Sequence, residues 1–182
     1  MQQTQGRTTR LQTFVLAGWL IAVAGLIGLI LYETQHIPAL DYAVKAATAW
    51  FLGFVPVAEI IIAVPGAMAL ELSLASAIIW PILGNLTPII LIDIFYDQMM
   101  RWPWLSRWLD RLATPSSRAR MDRWGVWAVL LLTPWMGVWV TAMTAQLLGM
   151  DRRRLLLAAG VSIGVYAVIT ALAFSAGVAA IG

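Results

Sequence analysis

Residues 124–150 read WGVWAVLLLTPWMGVWVTAMTAQLLGM, and Asp151-Arg152-Arg153-Arg154 follows directly. The stretch carries no charge over 27 residues, and about 20 apolar residues suffice to cross a bilayer as one helix. Yet Pro134 and Gly137 stand near its middle. Proline removes a helical hydrogen bond and clashes with the preceding turn. Broken backbone at membrane depth survives only where protein buries it or water wets it. Two readings compete: a spanning helix kinked at Pro134, or a re-entrant hairpin that goes halfway in and returns. A half-membrane arm needs about ten residues at ~1.5 Å each. Trp124–Thr133 and Val138–Leu148 fit as two such arms around a tip at Pro134–Gly137.

Charge separates the two readings, because Lys and Arg collect in short cytoplasmic loops. Segment Asp97–Arg123 holds Arg101, Arg107, Arg111, Arg118, Arg120 and Arg123 against Asp97, Asp110 and Asp122. It is the obvious cytoplasmic loop. A spanning 124–150 would put Arg152-Arg153-Arg154 on the far side, whereas a re-entrant one keeps them with the other six. Arginines in a first helical turn also oppose the helix dipole, so topology explains their place better than helix stability does. Arg7 and Arg10 put the N-terminus inside as well.

The same logic extends outward. The chain has 182 residues, 61% hydrophobic and 12% charged, with mean hydropathy +0.82. Soluble domains carry roughly a quarter charged residues, so a soluble globular enzyme and a disordered chain are both excluded as defaults. No cysteine and a single histidine, His36, leave no thiolate, no disulfide and no cluster for a metal. No cofactor is expected. The net charge of +3 sets orientation, and no nucleic-acid partner is expected.

Three charge-free runs read as spans: Phe14–Tyr32, Leu72–Ile92 and Leu155–Gly182. The first is longer than a signal peptide's apolar region and ends in Tyr32-Glu33-Thr34-Gln35, which reads as an uncleaved anchor. Ala46–Leu70 is interrupted by Glu59 and carries Pro56 and Pro65-Gly66. It is expected to be a second hairpin, with arms Val57–Val64 and Ala67–Ala75 around Pro65-Gly66. The expected fold is therefore an all-α polytopic membrane protein forming a single domain over 1–182. An anchor span (14–32) precedes a first hairpin plus span (43–96). A cytoplasmic loop (97–123) leads to a second hairpin plus span (124–180). The hairpins enter from opposite faces, as an inverted repeat of the kind many secondary transporters use. Arg101–Leu112 places Trp104, Leu105, Trp108, Leu109 and Leu112 on one face, as in an amphipathic helix lying among headgroups.

An ionisable residue at membrane depth is a functional-site hypothesis. Glu59 is the strongest case, since it costs roughly 2–3 kcal/mol there and can carry a proton. The bland alternative is a carboxylate near the outer headgroups. Asp93 lies near the inner end of its span and makes an i,i+4 acidic pair with Asp97; a plain boundary role suits it as well. Gly84-Asn85-Leu86-Thr87-Pro88 breaks the second span. Gly84 permits close approach of another backbone, and Asn85 can hydrogen-bond across helices. Gly160 and Gly164 read as helix-packing positions.

AEIIIAVPGAMALELS, LGNLTP and DRWGVWAVLLLTPWMGVWVTAMTAQLLGMDRRR resemble the small multidrug export protein family, itself similar at a distance to the DedA (SNARE-associated, VTT) membrane proteins. The resemblance covers about residues 50–182. Glu59 and Pro65 match a Glu-x-Arg-x-x-x-Pro element whose arginine is Ile61 here. Gly84, Asn85 and Pro88 match a Gly-Asn-x-x-Pro element. Pro134, Gly137 and Trp139 match a Pro-x-x-Gly-x-Trp core, although Trp135 and Thr141 stand where the family often has glycine. Leu147–Arg152 matches the closing element. The resemblance implies opposed re-entrant hairpins and a transporter-like role in the inner (cytoplasmic) membrane. Glu59, Pro65, Gly66, Asn85, Asp93, Pro134, Gly137 and Trp139 are then the candidate substrate- or ion-binding residues.

Two functions are carried forward. One is a secondary transporter or lipid and amphiphile translocator, with ligand between the hairpin tips and proton or sodium coupling through Glu59. The other is a non-transporting subunit that scaffolds a larger membrane complex, which Ile61 and ten tryptophans favour. Membrane lipids and a second copy or a larger complex are the expected partners. An intramembrane enzyme is disfavoured by the lack of any nucleophile–base pattern.

Overall fold

A computed structural model describes residues 2–56, 59–112 and 114–181. Side chains of residues 1–16 and of Trp19, Asp97, Met99, Leu105, Trp108, Leu109, Asp110, Leu112 and Ile181 lie outside that description. So the expectations for Arg7 and Arg10, for Asp97 as partner of Asp93, for the apolar face of Arg101–Leu112 and for Val57-Ala58 lie outside the described residues.

The described secondary structure is α-helical throughout: α1 Gln2–Thr34, α2 Ala39–Phe54, α3 Glu59–Ala69, α4 Leu74–Met100, α5 Pro103–Leu112, α6 Pro115–Met136, α7 Val138–Leu147 and α8 Arg152–Ile181. Leu74–Tyr96 and Arg152–Ala180 are long and apolar enough to cross a membrane. The expected span Phe14–Tyr32 falls inside α1.

Contacts divide the chain into two compact units, Met1–Ala43 and Val44–Gly182. In the first, α1 ends in a turn where the His36 and Ile37 N–H groups both donate to the Glu33 carbonyl at 2.9 Å. The His36 ring lies 4.9 Å from that of Tyr32, with Nδ1 3.0 Å from the Tyr32 carbonyl oxygen. The lone histidine thus finishes a helix end.

In the second unit each helix boundary has a legible cause. Thr114 caps α6, accepting from the Ser117 N–H at 3.2 Å, and Pro115 takes the first turn, where its missing N–H costs nothing. Asp151 caps α8, its Oδ1 accepting from the N–H groups of Arg153 (3.0 Å) and Arg154 (3.2 Å). Its charge offsets three arginines that oppose the dipole. α7 stops at Gly149, whose φ of 84° is glycine's territory, with Met150 N–H donating to the Ala145 carbonyl and Gly149 N–H to Gln146.

The first break differs from the expectation. α3 runs unbroken through Pro65 and Gly66, and the chain turns instead after Val55-Pro56. Proline disfavours helical backbone in the residue before it, so Pro56 ends α2. Pro65 gives up one helical hydrogen bond, but Ile60, Ala63, Val64 and Ala67 bury a continuous face of α3 that keeps the helix intact. Packing here overrides the local cost of proline. Two contacts link α3 to α2. Lys45 and Glu71 pair at 3.6 Å across the open ends, and a Cβ on Gly66 would meet Leu52 Cδ1 at 2.9 Å. α6 and α7, on either side of Gly137, contact each other, with Gly125 of α6 beside Met150 just past α7.

The backbone landmarks recur along the chain. Positive φ occurs at Glu59 and Glu71, then at Gly137 and Gly149; 137 minus 59 and 149 minus 71 both give 78. α4 and α8 begin at residues 74 and 152, again 78 apart. The same interval separates Pro56, and not Pro65, from Pro134. The core draws on Ile60 and Val64 of α3, Ile89 and Ile92 of α4, Val138 and Ala142 of α7, and Leu155, Ala159 and Ile163 of α8.

Proline leaves a carbonyl four residues upstream without its partner. For Pro134 that carbonyl is Leu130, and Ser162 Oγ of α8 donates to it at 2.7 Å. Ser162→Ala should therefore destabilise the fold by about 1–2 kcal/mol, the usual cost of an abandoned buried acceptor. In a Pro134→Ala background the restored backbone N–H at position 134 can serve Leu130, and the same change should cost much less. Thermal melts of the four proteins in detergent check this; equal losses in both backgrounds would refute the link.

Candidate functional site

The two breaks meet. Trp139 Nε1, in the first turn of α7, donates to the Phe54 carbonyl at the end of α2 across 2.8 Å. Their rings contact edge to face at 5.4 Å, and Phe54 stacks on Trp50 at 5.3 Å. Phe54 lies in the last turn of α2, whose carbonyls have no intrahelical donor, and the indole supplies one.

Glu59 sits on the other side of the same junction. It is the first residue of α3, and its carboxylate lies directly over Gly137: a Cβ at Gly137 would stand 2.5 Å from Oε1 and 3.4 Å from Cδ, with the Pro56 carbonyl oxygen at 3.8 Å. Gly137 has φ 80° and ψ 152°, a region only glycine enters at little cost. It starts α7 without any side-chain cap. The first N–H groups of a helix lack intrahelical acceptors and carry partial positive charge, and a carboxylate there gains up to about 2 kcal/mol when partly buried. Glu59 therefore places one carboxyl group at the start of two helices, α3 and α7.

The remaining expected residues fall elsewhere. Pro65 and Gly66 lie within α3, about 9 and 10.5 Å along the helix from Glu59 at ~1.5 Å per residue. Pro134 is buried near the end of α6. Asn85 is buried in α4, but its Nδ2 donates to the Pro81 carbonyl of its own helix at 3.1 Å and not across to another. Its neighbour Gly84 does make a close crossing, with the Trp50 carbonyl oxygen and Phe54 nitrogen packed against it, and Trp50 Nε1 donates to Thr87 Oγ1 at 3.3 Å.

Asp93 belongs to a separate cluster. Its Oδ2 pairs with Arg152 Nη1 at 2.7 Å, and its Oδ1 accepts from Gln146 Nε2 at 3.5 Å. α4, α7 and α8 are tied together there. Sequence reasoning gives Arg152 a purely topological part and passes over Gln146. Gly160 and Gly164 have no atom of the described chain near their missing Cβ positions, so they do not mediate packing within this unit.

A helical membrane protein with paired helix breaks joined around one carboxylate is the class this arrangement defines. The family model described as "Putative small multi-drug export protein" matches residues 59–169, and the chain belongs to that family. The match opens on Glu59 itself. No curated protein and no solved structure matches the chain.

Proposed function

We propose that this chain is a small secondary transporter whose two helical hairpins reach the bilayer centre from opposite faces, with Glu59 as the coupling residue. Arm length supports re-entrance. α3 has 11 residues and α7 has 10, which at ~1.5 Å each is about half of a ~30 Å hydrocarbon core. Arg118, Arg120 and Arg123 in α6 and Arg152-Arg153-Arg154 in α8 then lie on one side, as the positive-inside rule asks. Membership of an export family supports transport over catalysis. The 78-residue recurrence of breaks and caps supports an internal repeat, and opposite entry of its halves follows from the one span between them.

The observation that carries the reading is the Glu59 carboxylate at the meeting point of the two breaks. Helix N-termini there bind an anion or the ionised carboxyl; a proton on Glu59 removes the charge that holds the junction. Protonation would loosen the contact between the tips, and deprotonation would close it. Proton-driven uptake of ethidium into proteoliposomes tests this. The wild type should respond to an imposed pH gradient, and Glu59→Gln should lose at least about tenfold of the gradient-driven rate at equal insertion. A Glu59→Gln rate equal to wild type would remove Glu59 from the mechanism.

One observation favours the second reading, a non-transporting subunit. Phe54 and Trp139 seal the junction directly, through a hydrogen bond and an aromatic edge contact. A stable hetero-complex on detergent extraction, with no flux, would select that reading.

A further inference from the structure

Asp122 of α6 and Arg154 of α8 line one cavity of about 250 Å³, which Met121 and Val126 of α6 and the joint Gly149-Met150-Asp151 complete. Polar atoms form most of its lining. Opposite charges on one cavity ordinarily pair with each other. Here the side chains of Asp122 and Arg154 make no hydrogen bond or ion pair with any described residue. Asp151 Oδ1 accepts from the Arg153 and Arg154 N–H groups, which leaves Oδ2 as its remaining acceptor. The place of the cavity along the helices points to the kind of ligand. Trp124, two residues past Asp122, opens the uncharged run of α6, and Leu155, directly after Arg154, opens that of α8. The cavity therefore straddles the edge of two apolar segments. Trp124 and Trp127 are exposed beside that edge, as indoles at headgroup level are.

We infer that this cavity holds the headgroup of an ethanolamine phospholipid, with the ammonium between the Asp122 and Asp151 carboxylates and the phosphate on the Arg154 guanidinium. A zwitterion gives a partner to both unpaired charges at once, which neither a simple anion nor a simple cation does. A primary ammonium brings three donors for the carboxylates. A choline headgroup has no N–H to donate, and a glycerol headgroup has no cation. Arginine takes phosphate through a fork of parallel hydrogen bonds. Arg154 otherwise stands against the dipole of its own helix, and a phosphate beside it supplies the missing counter-charge. Met121, Val126 and Met150 then meet the start of the acyl chains, where flexible methionines adapt to them. The site lies apart from the junction of Glu59 with Gly137 and does not depend on transport.

The full chain is reconstituted into vesicles of dioleoyl phosphatidylethanolamine, phosphatidylcholine and phosphatidylglycerol in equal parts. It is then extracted in a mild detergent, and the phospholipid retained on the protein is measured by mass spectrometry. The wild type should retain phosphatidylethanolamine over either competitor by about tenfold, the worth of a charge-assisted hydrogen bond. Asp122→Asn keeps the shape and removes the charge, and should cut that preference to less than about threefold. Arg154→Gln removes the partner of the phosphate common to all three lipids, so it should lower total retention about tenfold and leave the preference nearly unchanged. A thermal melt of each variant shows that it is folded. Soluble O-phosphoethanolamine carries the same charges without acyl chains and should leave the bound lipid in place. Equal retention of the three lipids by the wild type, an intact preference in Asp122→Asn, undiminished retention in Arg154→Gln, or displacement by the soluble compound, which would assign the site to a free solute, would each overturn the proposal.

Discussion

Gly137→Ala is expected to destabilise the protein by about 3 kcal/mol, roughly 10 °C in Tm for a chain of this size. Two penalties act together. Alanine at φ 80° and ψ 152° occupies backbone space essentially reserved for glycine, costing on the order of 1–3 kcal/mol. Its Cβ would also lie 2.5 Å from Glu59 Oε1, inside van der Waals contact, so the carboxylate must move away from the start of α7. The penalties can be separated. Glu59→Ala in the Gly137→Ala background removes the collision and leaves the backbone strain, so the double variant should lose less than the two single losses added together. Strict additivity of the two losses would mean that Glu59 and Gly137 do not touch, and the proposed coupling site would go with that contact.

This junction is only half legible in the residue pattern. Pro134-Trp135-Met136-Gly137 announces its break plainly, because proline and glycine sit together between apolar arms of matching length. The structure breaks the helix there. For the first break the pattern points to Pro65-Gly66, whereas the chain turns at Pro56. Two prolines compete for it, and their local chemistry is the same. What separates them is the buried face Ile60-Ala63-Val64-Ala67, visible only once α4 and α8 pack on it. Registering Pro56 on Pro134 finds it, since that offset of 78 also aligns Glu59 with Gly137. Glu59 itself stands out as a lone carboxylate in an apolar run. Its partner does not, because a glycine announces a turn but not what lies above it. Spacing along one helix pairs Asp93 with Asp97, whereas its partners Gln146 and Arg152 come from 53 and 59 residues away. A pairing across three helices leaves no such mark in the sequence.

Gly84 and Gly53 should show the second large effect. The end of α2 crosses α4 so closely that a Cβ on Gly84 would collide with the Trp50 carbonyl and stand 3.0 Å from the Phe54 nitrogen, while a Cβ on Gly53 would collide with the Pro81 backbone. Backbone cannot swing aside as a side chain can, so relief requires α2 to lift away from α4. Lifting it strains the Trp50–Thr87 hydrogen bond and, through Phe54, the indole bond from Trp139. Gly84→Ala and Gly53→Ala are each expected to cost about 2–3 kcal/mol, as overpacking in a close-packed interior does. The two should not add. Once the first variant has raised α2, the second meets open space, so the double variant should lose about as much as either single one. Gly160→Ala and Gly164→Ala provide the contrast. Nothing stands near their missing Cβ positions, and alanine is the better helix former by about 1 kcal/mol, so both should be neutral or stabilising. Melts of the set in one detergent decide the matter: if Gly84→Ala proves as harmless as Gly160→Ala, α2 does not cross α4 at these glycines, and Phe54 is not held where Trp139 can reach it.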